Sequence, residues 1–291
     1  MNISLLAPNS NNRGPGKVFQ NLFLGLKNIS QDITITHNEI SNHITHYGCL
    51  QHIGNSINSL DKERTLFGPN LFVLPTDDPN LSRGLKHIVV PSEWVKDLYR
   101  KFSILDHANI HVWSVGIDTK EWKPLANGSF KKDLDCFVYF KNRDLISKEN
   151  VMKQLDSMNL KYEFIEYGSY KEEDLKKLCD RAKFAILLTG TESQGIAYMQ
   201  ILSMNIPCYV FNQTTWTSEN KDICCTATSV PYFNKQCGYI TNDLDASKIP
   251  TFMNELSNYT PRNFIENNHS ILSSAKKYKE IITTCQNELW K

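Results

Sequence analysis

The chain has 291 residues, of which 41% are hydrophobic and 22% are charged, and its formal net charge is +1. A chain of this length is long for a single hydrophobic core, so we expect a globular protein with two domains. The near-neutral charge argues against a nucleic-acid partner, and no apolar run reaches the roughly 20 residues that cross a bilayer.

Cysteine and histidine usage predicts the compartment and argues against a metal. The N-terminal residues lack the basic and apolar segments of a secretory signal, so we expect a cytoplasmic protein whose eight cysteines are reduced. The cysteines show no C-x-x-C spacing typical of a zinc site. Four histidines, His37, His43, His46 and His52, lie in a stretch that is hard to assign. Because no carboxylate or cysteine completes a familiar ligand spacing with them, we expect no metal site.

The first half of the chain alternates predicted strands and helices. A strand over 2–6 precedes a loop at 9–16 and a helix from Lys17, in which apolar residues recur every three or four positions. Ser92 should cap a helix over 93–102. The remaining strands of this half are expected at 32–36, 70–74, 87–90 and 110–113.

A segment of linker composition, 125–129, separates the two halves, and the alternation then starts again. We expect domains at 1–126 and 127–274, with a terminal helix at 275–291 that packs back on the N-terminal domain. Alternating strands and helices predict parallel sheets with covered faces, hence two doubly wound domains facing across a cleft. The strands of the second half are expected at 135–139, 162–165, 184–188 and 208–211, and the helices at 148–158, 170–183, 196–204 and 270–289.

A polar loop, Thr189–Gly195, joins a buried predicted strand to a predicted helix. The first N–H groups of a helix have no intrahelical partner, and the helix dipole favours negative charge at this end. Such a junction builds an anion site. Glu192 lies in the loop, and Gln200 lies further along, inside the helix.

Gly14 and Gly16 belong to a second loop, at the carboxyl end of the first predicted strand. Glycine permits close backbone approach, and open α/β sheets bind ligands at this end of their strands. The loop is not a P-loop, because no Ser or Thr follows Lys17. It is therefore either a phosphate cradle of another kind or an ordinary strand–helix turn.

Three cations, Lys141, Arg143 and Lys148, follow the first predicted strand of the second half. Fixed cations in a dry site stabilise the negative charge that develops on a departing phosphate, and arginine offers a fork that matches its oxygens. The alternative is a solvated basic loop.

Taken together, several segments resemble the retaining glycosyltransferases with the GT-B fold, in the large family that includes sucrose- and mannose-transferring enzymes. The resemblance extends over most of the chain and rests on the order and spacing of its motifs. The segments are Arg13-Gly-Pro-Gly-Lys-Val18, Val90-Pro-Ser-Glu-Trp-Val-Lys-Asp-Leu98, Val115-Gly-Ile-Asp-Thr-Lys-Glu-Trp-Lys-Pro124, Tyr167–Val210 and Asn263–Tyr278.

The resemblance implies metal-independent transfer of a sugar from a nucleotide-diphospho-sugar, UDP- or GDP-linked, to a hydroxyl of a glycan or other acceptor. The second domain should bind this donor and the first the acceptor, with no cofactor beyond the donor itself. Glu192 would face the donor sugar, and Arg143 and Lys148 would stabilise the leaving diphosphate.

The remaining donor contacts are also implied by the resemblance. Gln200 would face the ribose hydroxyls. Gly14 and Gly16 are expected to contact the diphosphate or the acceptor. Lys141 and the backbone amides of Gln194, Gly195 and Ile196 are expected to contact the diphosphate.

Two features depart from the family pattern. The family usually carries a second glutamate at the position of Gln200, and its basic motif is usually Gly-Arg followed by Lys-Gly, where this chain has Phe140-Lys-Asn-Arg143 and Lys148. Two alternatives therefore stay open. One is a sugar-nucleotide epimerase or hydrolase on the same fold, and the other is a catalytically degenerate GT-B binding module.

Overall fold

A computed structural model describes residues 1–7, 14–29, 33–49, 60–69, 73–78, 81, 84–125 and 132–289. The chain forms two compact units: a first unit of residues 1–116 with 268–291, and a second unit of residues 117–267. These bounds differ from the expected 126 and 275. Gly116 lies against the segment that follows residue 268, since a Cβ on Gly116 would stand 2.6 Å from the Cα of Ile271. Most of the expected linker lies outside the described residues.

The described part of the first unit contains a parallel sheet of six strands in the order β2-β1-β3-β4-β5-β6. The predicted strands at 2–6 and 87–90 have the expected bounds. The strands are β1 (Asn2–Leu6), β2 (Thr34–His37), β3 (His46–Cys49), β4 (Thr65–Phe67), β5 (His87–Val90) and β6 (Asn109–Val112).

Two strands of this sheet were not expected. β3 lies in the stretch that the sequence left unassigned, and β4 ends before the strand predicted at 70–74. Of that predicted strand, residues 70–72 lie outside the described residues, and residues 73 and 74 are not in a strand. Both observed strands have only three or four residues, too few to show a clear alternation of apolar and polar side chains.

Two helices follow strands of this sheet, α1 (Gly14–Ile29) and α2 (Glu93–Tyr99). α1 begins before the predicted Lys17, so Gly14 and Gly16 lie in its first turn and not in a loop. Pro15 tolerates the first turn of a helix, where its missing N–H is not needed. Ser92 occupies the N-cap position of α2, but its side chain makes no capping hydrogen bond. The backbone oxygen of Ser92 accepts the first intrahelical hydrogen bond, from the Lys96 amide at 3.1 Å.

The second unit contains a parallel sheet of five strands in the order β13-β10-β9-β7-β8, and a separate hairpin formed by β11 and β12. The strands are β7 (Leu134–Lys141), β8 (Tyr162–Glu166), β9 (Ala182–Thr189), β10 (Cys208–Phe211), β11 (Thr215–Thr217), β12 (Cys224–Thr226) and β13 (Gly238–Thr241). The helices that follow α2 are α3 (Leu145–Ser157), α4 (Glu172–Arg181), α5 (Ile196–Ser203), α6 (Ile249–Asn254), α7 (Pro261–Asn268) and α8 (Ile271–Leu289).

The order of the strands determines on which face of the sheet each crossover helix of the second unit lies. The chain steps from β8 past β7 to β9 through α4, and from β9 to β10 through α5, in the same direction. Because such crossovers are right-handed, α4 and α5 lie on the same face of the sheet with their N-termini at its carboxyl edge. α3 and α6 pack on the other face, where Val151 and Phe252 join a buried cluster with Val138 and Ile186. Among the described residues, no helix combines the length and apolarity needed to cross a membrane.

Candidate functional site at the carboxyl edge of the second sheet

The loops that follow β7 and β9 meet at the carboxyl edge of the sheet. The Gly190 amide donates to the Lys141 carbonyl at 2.8 Å. A Cβ on Gly190 would lie 2.5 Å from the backbone oxygen of Asn142, so only glycine allows the two loops this close approach. This close approach brings residues 141–143, at the end of β7, next to the loop of residues 189–195 that follows β9.

Lys141 and Glu192 form an ion pair at this point. Lys141 Nζ lies 2.6 Å from Glu192 Oε1, and the two side chains are only 18% and 12% exposed. The same ammonium stands 4.4 Å from the centre of the Tyr167 ring. Burial raises the pKa of the Glu192 carboxyl, and the charge of Lys141 opposes that shift. The Glu192 carboxylate is therefore held at the sheet edge in a poorly solvated position with one cation beside it.

Arg143 connects the ends of two neighbouring strands. Its Nη1 donates to the carbonyl of Thr189 at 3.0 Å and to the carbonyl of Phe211 at 3.4 Å. A third, longer contact reaches Oε1 of Gln213 at 3.5 Å. Burial lowers the pKa of this guanidinium. The three contacts use one nitrogen, which leaves the N–H groups of Nε and Nη2 outside them.

The side chain of Lys148 lies toward β8, the strand that neighbours β7 on the side away from β9. Its Nζ lies 3.4 Å from Glu166 Oε2, at the end of β8, and within 4.9 Å of the centre of the Phe140 ring. Arg143 reaches toward β9 and β10, whereas β8 is the neighbour of β7 on its opposite side. The structure therefore brings Lys141, Arg143 and Glu192 together and gives Lys148 a separate set of partners.

The start of α5 has a conformation that only glycine adopts easily. Gly195 stands at the N-cap with φ 66° and ψ 42°. A Cβ there would lie 2.0 Å from the Tyr198 ring. The Tyr198 hydroxyl accepts from the Tyr232 amide at 3.2 Å, and the Tyr232 hydroxyl donates to Gln194 Oε1 at 3.3 Å. These hydrogen bonds hold the end of the 189–195 loop in place, and with it the backbone amides of Gln194, Gly195 and Ile196.

Gln200 is buried inside α5 and faces a carboxylate that no sequence motif indicated. Its Nε2 donates to Glu172 Oε1 at 3.5 Å. Glu172 is the first residue of α4, and α4 and α5 are neighbours on one face of the sheet. The order of the strands makes α4 and α5 neighbours. That order could not be read from one sequence, so the contact between Gln200 and Glu172 was not predicted.

Gly14 and Gly16, the remaining predicted site residues, belong to the first unit. Of the four histidines of the stretch that the sequence left unassigned, His37 has its ring centre 4.6 Å from that of Phe19, and exposed His43 pairs with Glu39 at 2.9 Å. Burial lowers the pKa of His46 to about 4. His52 lies outside the described residues. Within the described residues, none of the other three belongs to a convergent group of metal ligands.

Comparison with known proteins identifies the fold. No protein-family model matches the chain, and no curated protein matches its sequence. Among solved structures, the chain is similar to sucrose-phosphate synthase from Thermosynechococcus elongatus, with 10% identity and a TM-score of 0.61 over 99% of each chain. It is also similar to the lipopolysaccharide outer core galactosyltransferase WaaB, with 10% identity and a TM-score of 0.60 over 98% of this chain and 99% of that one.

A third similar structure is AviGT4, a glycosyltransferase involved in avilamycin A biosynthesis, with 11% identity and a TM-score of 0.57 over 97% of each chain. In all three cases the alignment spans nearly the whole of both chains. The expected fold class is thereby confirmed: the chain has the GT-B fold, built from two Rossmann-like α/β units.

Proposed function

We propose that the protein is a retaining glycosyltransferase that moves a sugar from a nucleotide-diphospho-sugar to a hydroxyl of a glycan or other acceptor. The observation that carries the proposal is the convergence of Lys141, Arg143, Glu192 and the N-terminus of α5 at one edge of a parallel sheet. Open α/β sheets bind their ligands at this edge. The three similar structures named above are all described as enzymes of sugar transfer or synthesis.

The diphosphate of the donor would bind at the start of α5. The amides of Gln194, Gly195 and Ile196 supply N–H groups without intrahelical partners, and the helix dipole adds positive potential. Arg143 is held by strand carbonyls through Nη1, so Nε and Nη2 could form a fork toward a phosphate. Positive charge in a site of this kind stabilises the leaving diphosphate more as it departs than before.

Glu192 would orient the donor sugar. Its carboxylate is poorly solvated, which strengthens hydrogen bonds that it accepts from sugar hydroxyls. In the reaction, the bond between the anomeric carbon and the phosphate oxygen breaks, and the acceptor oxygen bonds to the same face of the sugar. The acceptor's proton passes to the departing phosphate, so the protein supplies positioning and charge and needs no strong base and no metal.

The ribose of the nucleotide would lie near Gln200. A carboxylate accepts two strong hydrogen bonds from a diol, whereas a neutral amide accepts weaker ones. Glu172 lies beside Gln200 and supplies the negative charge that the amide lacks. We therefore assign the ribose contact to the pair.

Three further residues retain the roles implied by the family resemblance. Lys148 would exchange its contact with Glu166 for a phosphate oxygen when the donor binds. Gly14 and Gly16, in the first turn of α1, would present amides to the diphosphate or to the acceptor.

Two alanine variants test the assignment. Arg143→Ala and Glu192→Ala should each lower turnover at least tenfold, which corresponds to about 1.4 kcal/mol in the barrier. Arg181→Ala and Glu163→Ala are matched controls, because these residues pair with each other at 2.8 Å, away from the carboxyl edge of the sheet. Both controls should keep the wild-type rate.

Turnover would be measured with each of a panel of UDP-, GDP- and ADP-sugars and glycan acceptors. Wild-type rates in both Arg143→Ala and Glu192→Ala would overturn the site. Consumption of donor with no acceptor present would indicate an epimerase or hydrolase, and binding without turnover would indicate a degenerate module.

A further inference from the structure

We propose that His87, His111 and Cys285 form a zinc site in the first unit. The candidate ligand atoms of these three side chains all lie within 4.8 Å of one another. The site is separate from the residues proposed for sugar transfer, and the proposal does not depend on that function. The ion would serve the structure of the unit and take no part in the reaction.

Strand register brings the two histidines to one face of the sheet. In the parallel pair β5–β6, Val89 lies opposite His111. Side chains alternate between faces along a strand, so His87 points to the same side as Val89. His111 points to that side too, because directly opposed residues share a face. The two imidazole rings stand 5.7 Å apart, centre to centre.

α8 packs on this face and contributes the third residue of the proposed site, Cys285. Trp113, two residues beyond His111, donates from Nε1 to the carbonyl of Ser274 at 2.8 Å, and its ring packs edge-on against Tyr278 at 5.1 Å. Tyr278 and Cys285 are two helical turns apart and both are buried, so they face the sheet together. Cys285 Sγ lies 3.7 Å from His111 Nε2.

These distances suit a zinc ion. Zinc binds imidazole nitrogen at about 2.0 Å and thiolate sulfur at about 2.3 Å in a tetrahedron, which places two of its ligand atoms roughly 3.5 Å apart. The contact between Cys285 and His111 already has this separation. A ligand nitrogen of His87 lies within 4.8 Å of the other two ligand atoms, so the side chains would have to draw together by at most about 1.3 Å to reach that roughly 3.5 Å separation.

The donor set selects the metal class. Two neutral imidazoles and one thiolate suit borderline and soft ions, whereas Mg²⁺ and Ca²⁺ require oxygen ligands. Three protein ligands leave a fourth tetrahedral position for water or another small ligand. On binding, the thiol of Cys285 loses its proton and the ion replaces it.

The position of the site determines what a bound ion would do. A cavity of about 400 Å³, lined by Arg100, Asp106 and Asn109, extends to His111, one of the three ligand residues. The three ligands belong to β5, β6 and α8. A bound ion would therefore fasten the C-terminal helix to the sheet across a separation of 174 residues. Metal held only by the folded state stabilises that state.

The test uses the full chain, freed of metal with a chelator under reducing conditions and titrated with zinc. We expect one zinc per chain by elemental analysis and a higher melting temperature with zinc. Cobalt should give a thiolate-to-metal absorption band. Cys285→Ser and His111→Gln should each weaken zinc affinity at least tenfold and abolish or weaken that band. Cys179→Ser removes a buried thiol of the second unit and should bind as the wild type does.

Circular dichroism establishes that each variant is folded, and His111→Gln provides a half-buried change in case the buried Cys285→Ser does not fold. Absence of stoichiometric zinc in the wild-type protein would overturn the proposal. Wild-type zinc affinity and an unchanged cobalt band in folded Cys285→Ser or His111→Gln would do the same.

Discussion

At the scale of single residues, the pairing of Gln200 with Glu172 is the departure from the family pattern that has the clearest consequence. The side-chain amide of Gln200 donates to the carboxylate of Glu172 at 3.5 Å. A glutamate at position 200 would bring two carboxylates to this separation, and like charges so close cannot both ionise without a large cost. Glutamine at 200 is thus matched to glutamate at 172.

We predict that Gln200→Glu, although it restores the residue usual in the family, weakens binding of the preferred nucleoside diphosphate by about tenfold, or ~1.4 kcal/mol. The exchange Glu172→Gln with Gln200→Glu returns a single carboxylate to the pair and should recover most of the affinity. Isothermal titration of the three proteins measures both effects. Tighter binding by the single variant Gln200→Glu would show that Glu172 does not share the site.

Several candidate site residues could be placed from the sequence because they follow directly from strand–loop–helix junctions. Glu192, Arg143 and Lys141 were expected at the ends of strands, and the structure places them at one edge. The partner of each could not be read from the chain. Glu172 and Glu166 are brought to Gln200 and Lys148 by the order of strands in the sheet, which one sequence does not encode locally.

At the scale of elements, the junction of α7 and α8 places a buried histidine beside the end of β6. His269 Nδ1 and the hydroxyl of Ser114 lie 2.9 Å apart. Burial, with a smaller contribution from the positive charge of Lys277, lowers the pKa of His269 to about 4. Unfolded histidine has a pKa near 6.5, so the unfolded state binds a proton between these two values and the folded state does not.

We therefore predict that the free energy of unfolding falls as the pH decreases from about 6.5 toward 4. His269 contributes up to about 1.4 kcal/mol per pH unit in this window. The variant His269→Gln should show a shallower dependence there. His107→Gln removes an exposed histidine and is the matched control. Urea unfolding at several pH values measures the slopes, and equal slopes in His269→Gln and wild type would contradict the account.

Elements with a clear apolar run or helical periodicity were predictable from the sequence, and elements without one were not. The buried strands β7, β9 and β10 and the amphipathic helix α4 lie where periodicity and apolar runs placed them. The hairpin of β11 and β12 has strands of three residues, and its exposed threonines carry no strand signal strong enough to read. The zinc ligands were missed for another reason: they come from three elements distant in sequence and show no local spacing.

At the scale of the whole molecule, the alternation of strands and helices along the chain is enough to predict the fold class. Two parallel sheets, each wound by helices, follow from that alternation, and whole-chain similarity to GT-B structures agrees with it. The bounds of the units were harder to predict. The first unit joins residues 1–116 to residues 268–291, and Gly116 packs against Ile271 in a long-range contact without a local sequence signature.

The central claim is that the carboxyl edge of the second sheet binds a nucleotide-diphospho-sugar. It is tested most directly by isothermal titration of the full chain with a panel of UDP-, GDP- and ADP-sugars, beside Arg143→Ala and its control Arg181→Ala. We predict that at least one donor binds the wild type and Arg181→Ala alike, and binds Arg143→Ala at least tenfold more weakly. Folded protein that binds none of these donors would contradict the claim.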